Sequence, residues 1–89
     1  MTYRVETTAR FDRAFKKLDR YTQRMLAAWI DRHLEGCADP RAHGKALVAD
    51  RGGQWRYRIG DYRLICRIED DALVILALTV GHRREVYRT

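Results

Sequence analysis

Hydrophobic and polar residues follow two different periods along this chain, and the change of period predicts the order of its elements. Residues 2–6 carry the β-formers Tyr3 and Val5 and are predicted to form a short strand. The spacing i, i+3, i+4, i+7 then marks one face of a helix, at Phe11, Ala14, Phe15 and Leu18. The same spacing predicts a second helix with one apolar side, at Leu26, Trp29, Ile30, His33 and Leu34.

Residues that start and stop helices flank both helical patterns. Thr7 or Thr8 can cap the first helix, Asp19 can cap the second, and Gly36 is expected to end it. Because the turn between the helices is so short, we expect an antiparallel helix pair.

The second half of the chain has the period of strands. Residues 36–53 contain the only proline and four of the six glycines, which predicts loop and irregular structure. Residues 55–59 and 62–68 alternate, apart from Ile65, and Gly60-Asp61 between them suits a type II′ hairpin turn. Asp70-Asp71 offers a second turn into residues 73–80, which are apolar on both faces and are therefore predicted to lie centrally in the sheet.

These elements predict an α+β fold. The predicted order is an N-terminal strand, the antiparallel helix pair and an antiparallel three-strand meander, together giving a four-stranded sheet. At 89 residues the chain is predicted to be one domain, 1–89. A core of this size is small, so a partner that covers apolar surface would add stability.

The hairpin register predicts a cluster of arginines on one side of the sheet. With Gly60-Asp61 as the turn, Arg58 faces Arg63 and Arg56 faces Ile65. Opposed residues share a face, as do residues two apart on a strand. The arginines expected on the side away from the core are Arg56, Arg58, Arg63 and Arg67. The core side takes Trp55, Tyr57, Ile59, Tyr62, Leu64, Cys66 and Ile68.

Two interpretations of this arginine cluster remain open. Opposed like charges destabilise a hairpin unless an anion joins them, which favours phosphate binding. The alternative is a solvated outer face screened by water and salt. The net charge of +6 comes from fifteen arginines and three lysines, and the planar fork of arginine suits phosphate. This charge predicts a nucleic acid or acidic protein partner, against plain solubility as the other interpretation.

Composition also predicts what the chain lacks. The longest apolar run, residues 72–80, is too short to span a bilayer, and the chain starts without an apolar signal region, so we expect a cytoplasmic protein without membrane contact. Cys37 and Cys66 have no metal-ligand spacing, which predicts neither a metal nor a disulfide framework. No cofactor is expected.

Three segments resemble the RelE/ParE toxin superfamily over essentially the whole chain. The segments are His43-Gly44-Lys45-Ala46-Leu47, residues 55–64 (WRYRIGDYRL) and residues 81–87 (GHRREVY). The resemblance implies a RelE-like fold and a toxin of a type II toxin–antitoxin system. It further implies ribosome-dependent, metal-independent cleavage of mRNA, in which the 2′-hydroxyl attacks phosphorus and leaves a 2′,3′-cyclic phosphate and a 5′-hydroxyl.

The resemblance also implies roles for individual residues. Arg63 would stabilise the transition-state phosphate, Arg83 would balance charge at the leaving group, and Tyr87 would stack on or orient a nucleotide. Arg58 and Arg56 would hold the RNA and help the 2′-hydroxyl lose its proton. The remaining residues predicted to contact RNA are Lys45, Arg67 and His82.

Arginine at both second-strand positions departs from the pattern, where lysines are common. Arginine stays protonated and is a poor proton acceptor. Either catalysis relies on electrostatic stabilisation, or another group, such as His82, takes the proton. His82 is equally suited to a turn residue bonded to backbone, and Gly81 is expected to supply a bend that frees Arg83 from the strand.

The sequence also predicts binding partners and leaves two other functions open. The resemblance implies a cognate antitoxin that wraps around the chain, together with the ribosome and mRNA. A ParE-like inhibitor of DNA gyrase with the same fold but no nuclease site is the alternative, and a non-catalytic basic binding module is the third.

Overall fold

The computed structural model describes residues 1–47 and 53–86, which form two helices and one five-stranded sheet. The helices are α1 (Ala9–Lys16) and α2 (Arg20–His33), and a 3₁₀ turn spans Pro40–Ala42. The strands are β1 (Arg4–Thr7), β2 (Lys45–Ala46), β3 (Gln54–Ile59), β4 (Tyr62–Glu69) and β5 (Val74–His82). The strand order in the sheet is β1-β5-β4-β3-β2. The predicted α+β class is confirmed.

The predicted strand count was wrong by one, because β2 lies within the segment predicted as loop. Lys45 and Ala46 pair antiparallel with Arg56 and Trp55 of β3. Gly44 makes this close approach possible: its φ is +81°, and a Cβ there would lie 2.2 Å from the Arg56 carbonyl oxygen. The two-residue pairing thus depends on backbone packing rather than on an alternating pattern.

The strand predicted to be central does lie between two partners. β5 pairs in parallel with β1 and antiparallel with β4, which accounts for its apolar residues on both faces. β1 itself begins later than the predicted residue 2. The Tyr3 amide donates to the Cys37 carbonyl at 2.9 Å and the Gly36 amide donates to the Tyr3 carbonyl at 2.8 Å, so Tyr3 is bonded to the segment after α2.

Both predicted helix caps are present. Thr8 is the N-cap of α1, with its hydroxyl oxygen accepting from the Phe11 amide at 3.1 Å. Asp19 is the N-cap of α2, and hydrogen bonds from Thr22 lower the pKa of its carboxyl group. α2 ends at His33, and Gly36 follows with a φ of +77°, as expected for a residue that stops a helix.

The core lies between the two helices and one face of the sheet. It consists of Phe11, Leu26, Leu34, Tyr57, Ile59, Leu64, Cys66, Ile75, Ala77 and Val80. Burial raises the pKa of the Cys66 thiol, so this side chain acts as a small apolar residue, as predicted. Neither helix is long and apolar enough to cross a membrane, judged over the ranges 1–47 and 53–86.

The two hairpin turns differ in how well they match the sequence prediction. Gly60 has a φ of +60° while Asp61 keeps a negative φ, as a type II′ turn requires. The second turn is longer than Asp70-Asp71, because Leu73 adopts a φ of 55° and the strand starts at Val74. β5 also contains a bulge: Ile65 pairs with Thr79 and Cys66 with Ala77, which leaves Leu78 as the extra residue.

Candidate functional site

The predicted arginine cluster lies on the face of the sheet that the helices leave open, which we call the outer face. Arg58 pairs with Arg63 and Arg56 pairs with Ile65, which confirms the predicted register. Arg67 follows on the same side of β4, and β2 adds Lys45 directly opposite Arg56. The sheet register therefore collects five cations on one face, at Lys45, Arg56, Arg58, Arg63 and Arg67.

Three of the predicted catalytic arginines lie at the same end of the sheet. The Arg63 guanidinium folds over the β3–β4 turn, where Nη1 donates to the carbonyl oxygens of Tyr62 at 3.2 Å and Gly60 at 3.4 Å. Arg83 follows the end of β5, and its amide donates to the Asp61 carbonyl in the same turn at 2.8 Å. Arg58 faces Arg63 one pair away from this turn. The chain thus places Arg58, Arg63 and the Arg83 backbone next to one another.

The centre of the outer face is buried, although no helix packs over this side of the sheet in the described residues. Ile65 and Thr79 pair across β4 and β5, yet they are only 3% and 6% exposed. Ile65 has Arg56 across the hairpin and Arg63 two positions along its own strand. Arginine residues therefore neighbour Ile65 on two sides, and their aliphatic stems are of the kind that covers apolar surface while the guanidinium groups stay in water.

His82 projects to the other face. It pairs with Tyr62, and the two rings meet edge to face with their centroids 5.7 Å apart. Its Nδ1 accepts a hydrogen bond from the Arg84 amide at 3.2 Å, which is the turn role considered from sequence. The structure therefore does not bring His82 together with the outer-face arginines.

The end of β5 differs from the sequence prediction. Gly81 supplies no bend, since it lies within β5, which continues to His82; the chain turns over residues 83–85, where the Glu85 amide donates to the His82 carbonyl at 2.8 Å. Val86 then returns to the outer face, because a Cβ on Gly81 would lie 3.5 Å from the Val86 Cβ. The strand ends at His82. Tyr87, predicted to stack on or orient a nucleotide, lies outside the described residues.

A second group of cations borders the outer face and was missed by the sequence analysis. Arg10 and Arg13 of α1 and Lys17 at its C-cap line a cleft of about 180 Å³ with Thr79 of β5. Their i, i+3, i+7 spacing puts them on one side of the helix, which is the signal that would have identified them. These residues carry positive charge past the edge of β5.

Aromatic residues surround the entry to β2. Trp29 of α2 packs against Tyr57, His33 and His43, with ring centroids 5.8, 4.7 and 6.0 Å away. Trp55 is half-buried, and its Nε1 donates to the His43 carbonyl at 2.6 Å. As predicted, His33 and both tryptophans are partly buried against the core or its margin.

Across residues 1–47 and 53–86, no three histidine, cysteine or acidic side chains are close enough together to hold a metal ion. What the arrangement offers chemically is positive charge and N–H donors on one side of a rigid sheet, which suits phosphate oxygens.

Comparison with known proteins gives the same family from sequence and from structure. A family described as "ParE toxin of type II toxin-antitoxin system, parDE" matches residues 5–87. Toxin RelG of Mycobacterium tuberculosis is 35% identical over 88 residues, which cover 98% of this chain and 95% of the relative.

Two solved toxin–antitoxin complexes share the fold at 28% identity. The RelBE2 complex of Mycobacterium tuberculosis aligns with a TM-score of 0.79 over 93% of this chain and all of that chain. The archaeal RelE-RelB complex of Pyrococcus horikoshii aligns with a TM-score of 0.71 over 97% of this chain and all of that chain. The chain therefore belongs to the RelE/ParE superfamily and is a toxin of a type II toxin–antitoxin system.

Proposed function

We propose that this toxin is a ribosome-dependent endoribonuclease that cleaves mRNA and so inhibits translation. The observation that carries the proposal is the directly opposed Arg58–Arg63 pair, with Arg56 and Lys45 on the same face. Opposed like charges raise the free energy of a hairpin unless an anion lies between them. An RNA phosphate supplies that anion.

The proposed reaction needs little beyond charge and position. The 2′-hydroxyl attacks the adjacent phosphorus, the bond to the 5′-oxygen breaks, and the products are a 2′,3′-cyclic phosphate and a 5′-hydroxyl. Arg63 stabilises the negative charge that builds up on the phosphate oxygens, and Arg83 stabilises the leaving oxygen. Arg58 and Arg56 hold the RNA backbone, and Tyr87 is proposed to orient a nucleotide.

Proton transfer from the 2′-hydroxyl is the step for which the residues of the outer face are least suited. Arginine remains protonated in proteins and cannot serve as the base. His82, the other candidate base, projects to the opposite face beside Tyr62. We therefore assign most of the rate enhancement to electrostatic stabilisation by the arginines, with the ribosome positioning the mRNA.

A cognate antitoxin is the second proposed partner. The similar RelBE2 and archaeal RelE-RelB structures are toxin–antitoxin complexes. The net charge of +6 favours an acidic segment in the antitoxin. Such a segment would cover the outer face or keep the toxin from the ribosome.

Inhibition of DNA gyrase is the alternative function. It is favoured by the match to the family described as ParE toxin. In that case the outer face would bind a protein, and no RNA would be cleaved.

Induced expression of the toxin separates these functions. We expect mRNA to be degraded within minutes, with 5′-hydroxyl ends at the cuts, while replication continues. An arrest of replication with DNA damage and intact mRNA would instead support the gyrase inhibitor.

A further inference from the structure

A small cleft opens beside β3, where its pairing with β2 begins, and joins two surfaces of the molecule. It measures about 210 Å³ and is lined by Trp29, Gly44, Lys45, Arg56 and Arg58. Lys45, Arg56 and Arg58 belong to the outer face, whereas Trp29 comes from α2 on the helix side. The cleft forms because β2 is short: within the described residues it pairs with β3 only at Arg56 and Trp55.

The chemistry of the lining is that of a nucleotide site. Three of its five residues are cations, and none is acidic. Trp29 supplies an aromatic wall, and it is partly exposed although Tyr57 and two histidines pack against it. Cations that follow a phosphate backbone beside an aromatic platform for a base are the usual means of binding single-stranded RNA.

The backbone around the cleft holds this arrangement in place. The Trp55 Nε1 hydrogen bond to the His43 carbonyl fixes the chain just before Gly44. A side chain at Gly44 would also collide with Trp55 Nε1 at 2.7 Å, so only glycine leaves the space as it is. The volume falls below the roughly 300–1,000 Å³ of pockets for whole ligands, which leaves room for one base or one phosphate group.

We propose that this cleft is a nucleotide subsite for single-stranded RNA, in which Trp29 contacts a base and Lys45 and Arg58 contact its phosphate. The proposal rests on the proposed ribonuclease function and extends the RNA path from the Arg63 end of the sheet to α2. An acidic peptide would satisfy the cations but would gain little from the Trp29 ring, whereas a nucleotide satisfies both.

The test measures RNA binding directly, without the ribosome. The full-length toxin carrying Arg83→Ala, which leaves the cleft untouched, is titrated into a 5′-labelled RNA tetranucleotide and the anisotropy is followed. Trp29→Leu is expected to weaken binding about tenfold, the loss typical of one stacked base, and Trp29→Phe about threefold or less. Tyr21→Leu removes an exposed aromatic from the same helix outside the cleft and should leave the affinity unchanged.

Two further measurements separate stacking from a structural role. The salt dependence of binding should keep its slope in Trp29→Leu, because the cations remain, and should fall by about one in Lys45→Ala. Should Trp29→Leu fail to fold, the emission of Trp29 is taken as the difference between the parent and Trp29→Phe, which keeps Trp55 and its hydrogen bond to the His43 carbonyl. This emission should then be quenched by the tetranucleotide and not by inorganic phosphate.

The outcomes distinguish this subsite from the ribonuclease itself. Unchanged RNA affinity in Trp29→Leu, or emission that responds to an acidic peptide and not to RNA, overturns the subsite even if the toxin cleaves mRNA. A toxin that cleaves no mRNA but shows the expected Trp29-dependent affinity keeps the subsite as an RNA contact and refutes only the nuclease.

Discussion

The two faces of one sheet, built from the same strands, have opposite relations to water and charge. On the helix side Tyr57, Leu64 and Cys66 are fully buried. On the outer face β3 carries Arg58, which is exposed, and β4 carries Arg63 directly opposite it. A strand alternates its side chains between faces, so one pair of strands serves both purposes. Burial and positive charge are thereby separated residue by residue.

The centre of the outer face shows where this separation is incomplete. Ile65 is nearly as buried as the core although it faces away from the helices. Its neighbours on that face are Arg56 across the hairpin and Arg63 on its own strand. The outer face therefore has a buried centre between its arginines.

Removing one of the proposed catalytic arginines should give the largest difference between the two faces. We expect Arg63→Ala or Arg83→Ala to reduce cleavage of ribosome-bound mRNA about 100-fold or more, because each removes a group that is proposed to stabilise charge in the transition state. The melting temperature should fall only slightly, by the loss of the Arg63 hydrogen bonds to the carbonyls of Gly60 and Tyr62 in the turn. Arg24→Ala, which removes the same charge from an exposed position of α2, is the control. Full toxicity of either variant at equal expression would refute the site, and loss of folding would indicate a structural role.

A substitution on the opposite face of the same strand should have the reverse effect. Leu64→Ala removes a fully buried side chain next to Arg63 in sequence, and should lower the free energy of unfolding by about 2–5 kcal/mol. Cleavage per folded molecule should be unchanged. Denaturant unfolding measures the free energy of unfolding, and active-site titration measures the cleavage per folded molecule. Arg67→Ala on the outer face should stay within about 0.5 kcal/mol; an equal loss in both variants would contradict the separation of faces.

A smaller effect is expected from the one buried hydroxyl group that ties the core to the loop before β2. The Tyr57 hydroxyl donates to the Pro40 carbonyl at 2.7 Å. Tyr57→Phe should cost about 1–3 kcal/mol of unfolding free energy, because the carbonyl loses its buried donor. Tyr21→Phe removes a hydroxyl from an exposed side chain and should cost nothing measurable. Equal melting temperatures for both variants would show that water replaces the lost bond.

The smallest effect should come from an exposed ion pair at the margin of the sheet. Arg41 holds Asp70 through two 3.0 Å hydrogen bonds, with a third from Tyr3, and these bonds lower the pKa of the Asp70 carboxyl group. A lowered carboxyl pKa stabilises the fold above the ordinary value of about 3.9, and this contribution is lost as the pH falls through the folded-state pKa. Asp70→Asn should therefore lower the melting temperature slightly at pH 7.

The same variant should match the parent protein at a pH below the folded-state pKa of Asp70, where the carboxyl group is protonated. Asp71→Asn removes an equal charge from the same turn and serves as the control. A difference between Asp70→Asn and the parent that is as large at low pH as at pH 7 would mean that the ion pair is not its cause.

The helices and the β3–β4 hairpin could be predicted from sequence alone. Local chemistry decides these elements: Thr8 and Asp19 cap their own helices, and the two-residue Gly60-Asp61 turn leaves one register for the strands beside it. Since alternation and register together fix the faces, the arginine cluster also followed from sequence. The matched motifs gave the superfamily.

Two features could be seen only in the folded chain. They are the face on which the last residues of β5 lie and the strand that pairs with the outer edge of β3. The bulge at Leu78 reverses the alternation, so His82 faces Tyr62 instead of the arginines, and the Thr8 hydroxyl bonds to the carbonyls of Ala77 and Leu78 at this bulge. β2 exists because Gly44 lets the chain lie against Arg56. Both features depend on contacts between residues distant in sequence, which no local pattern records.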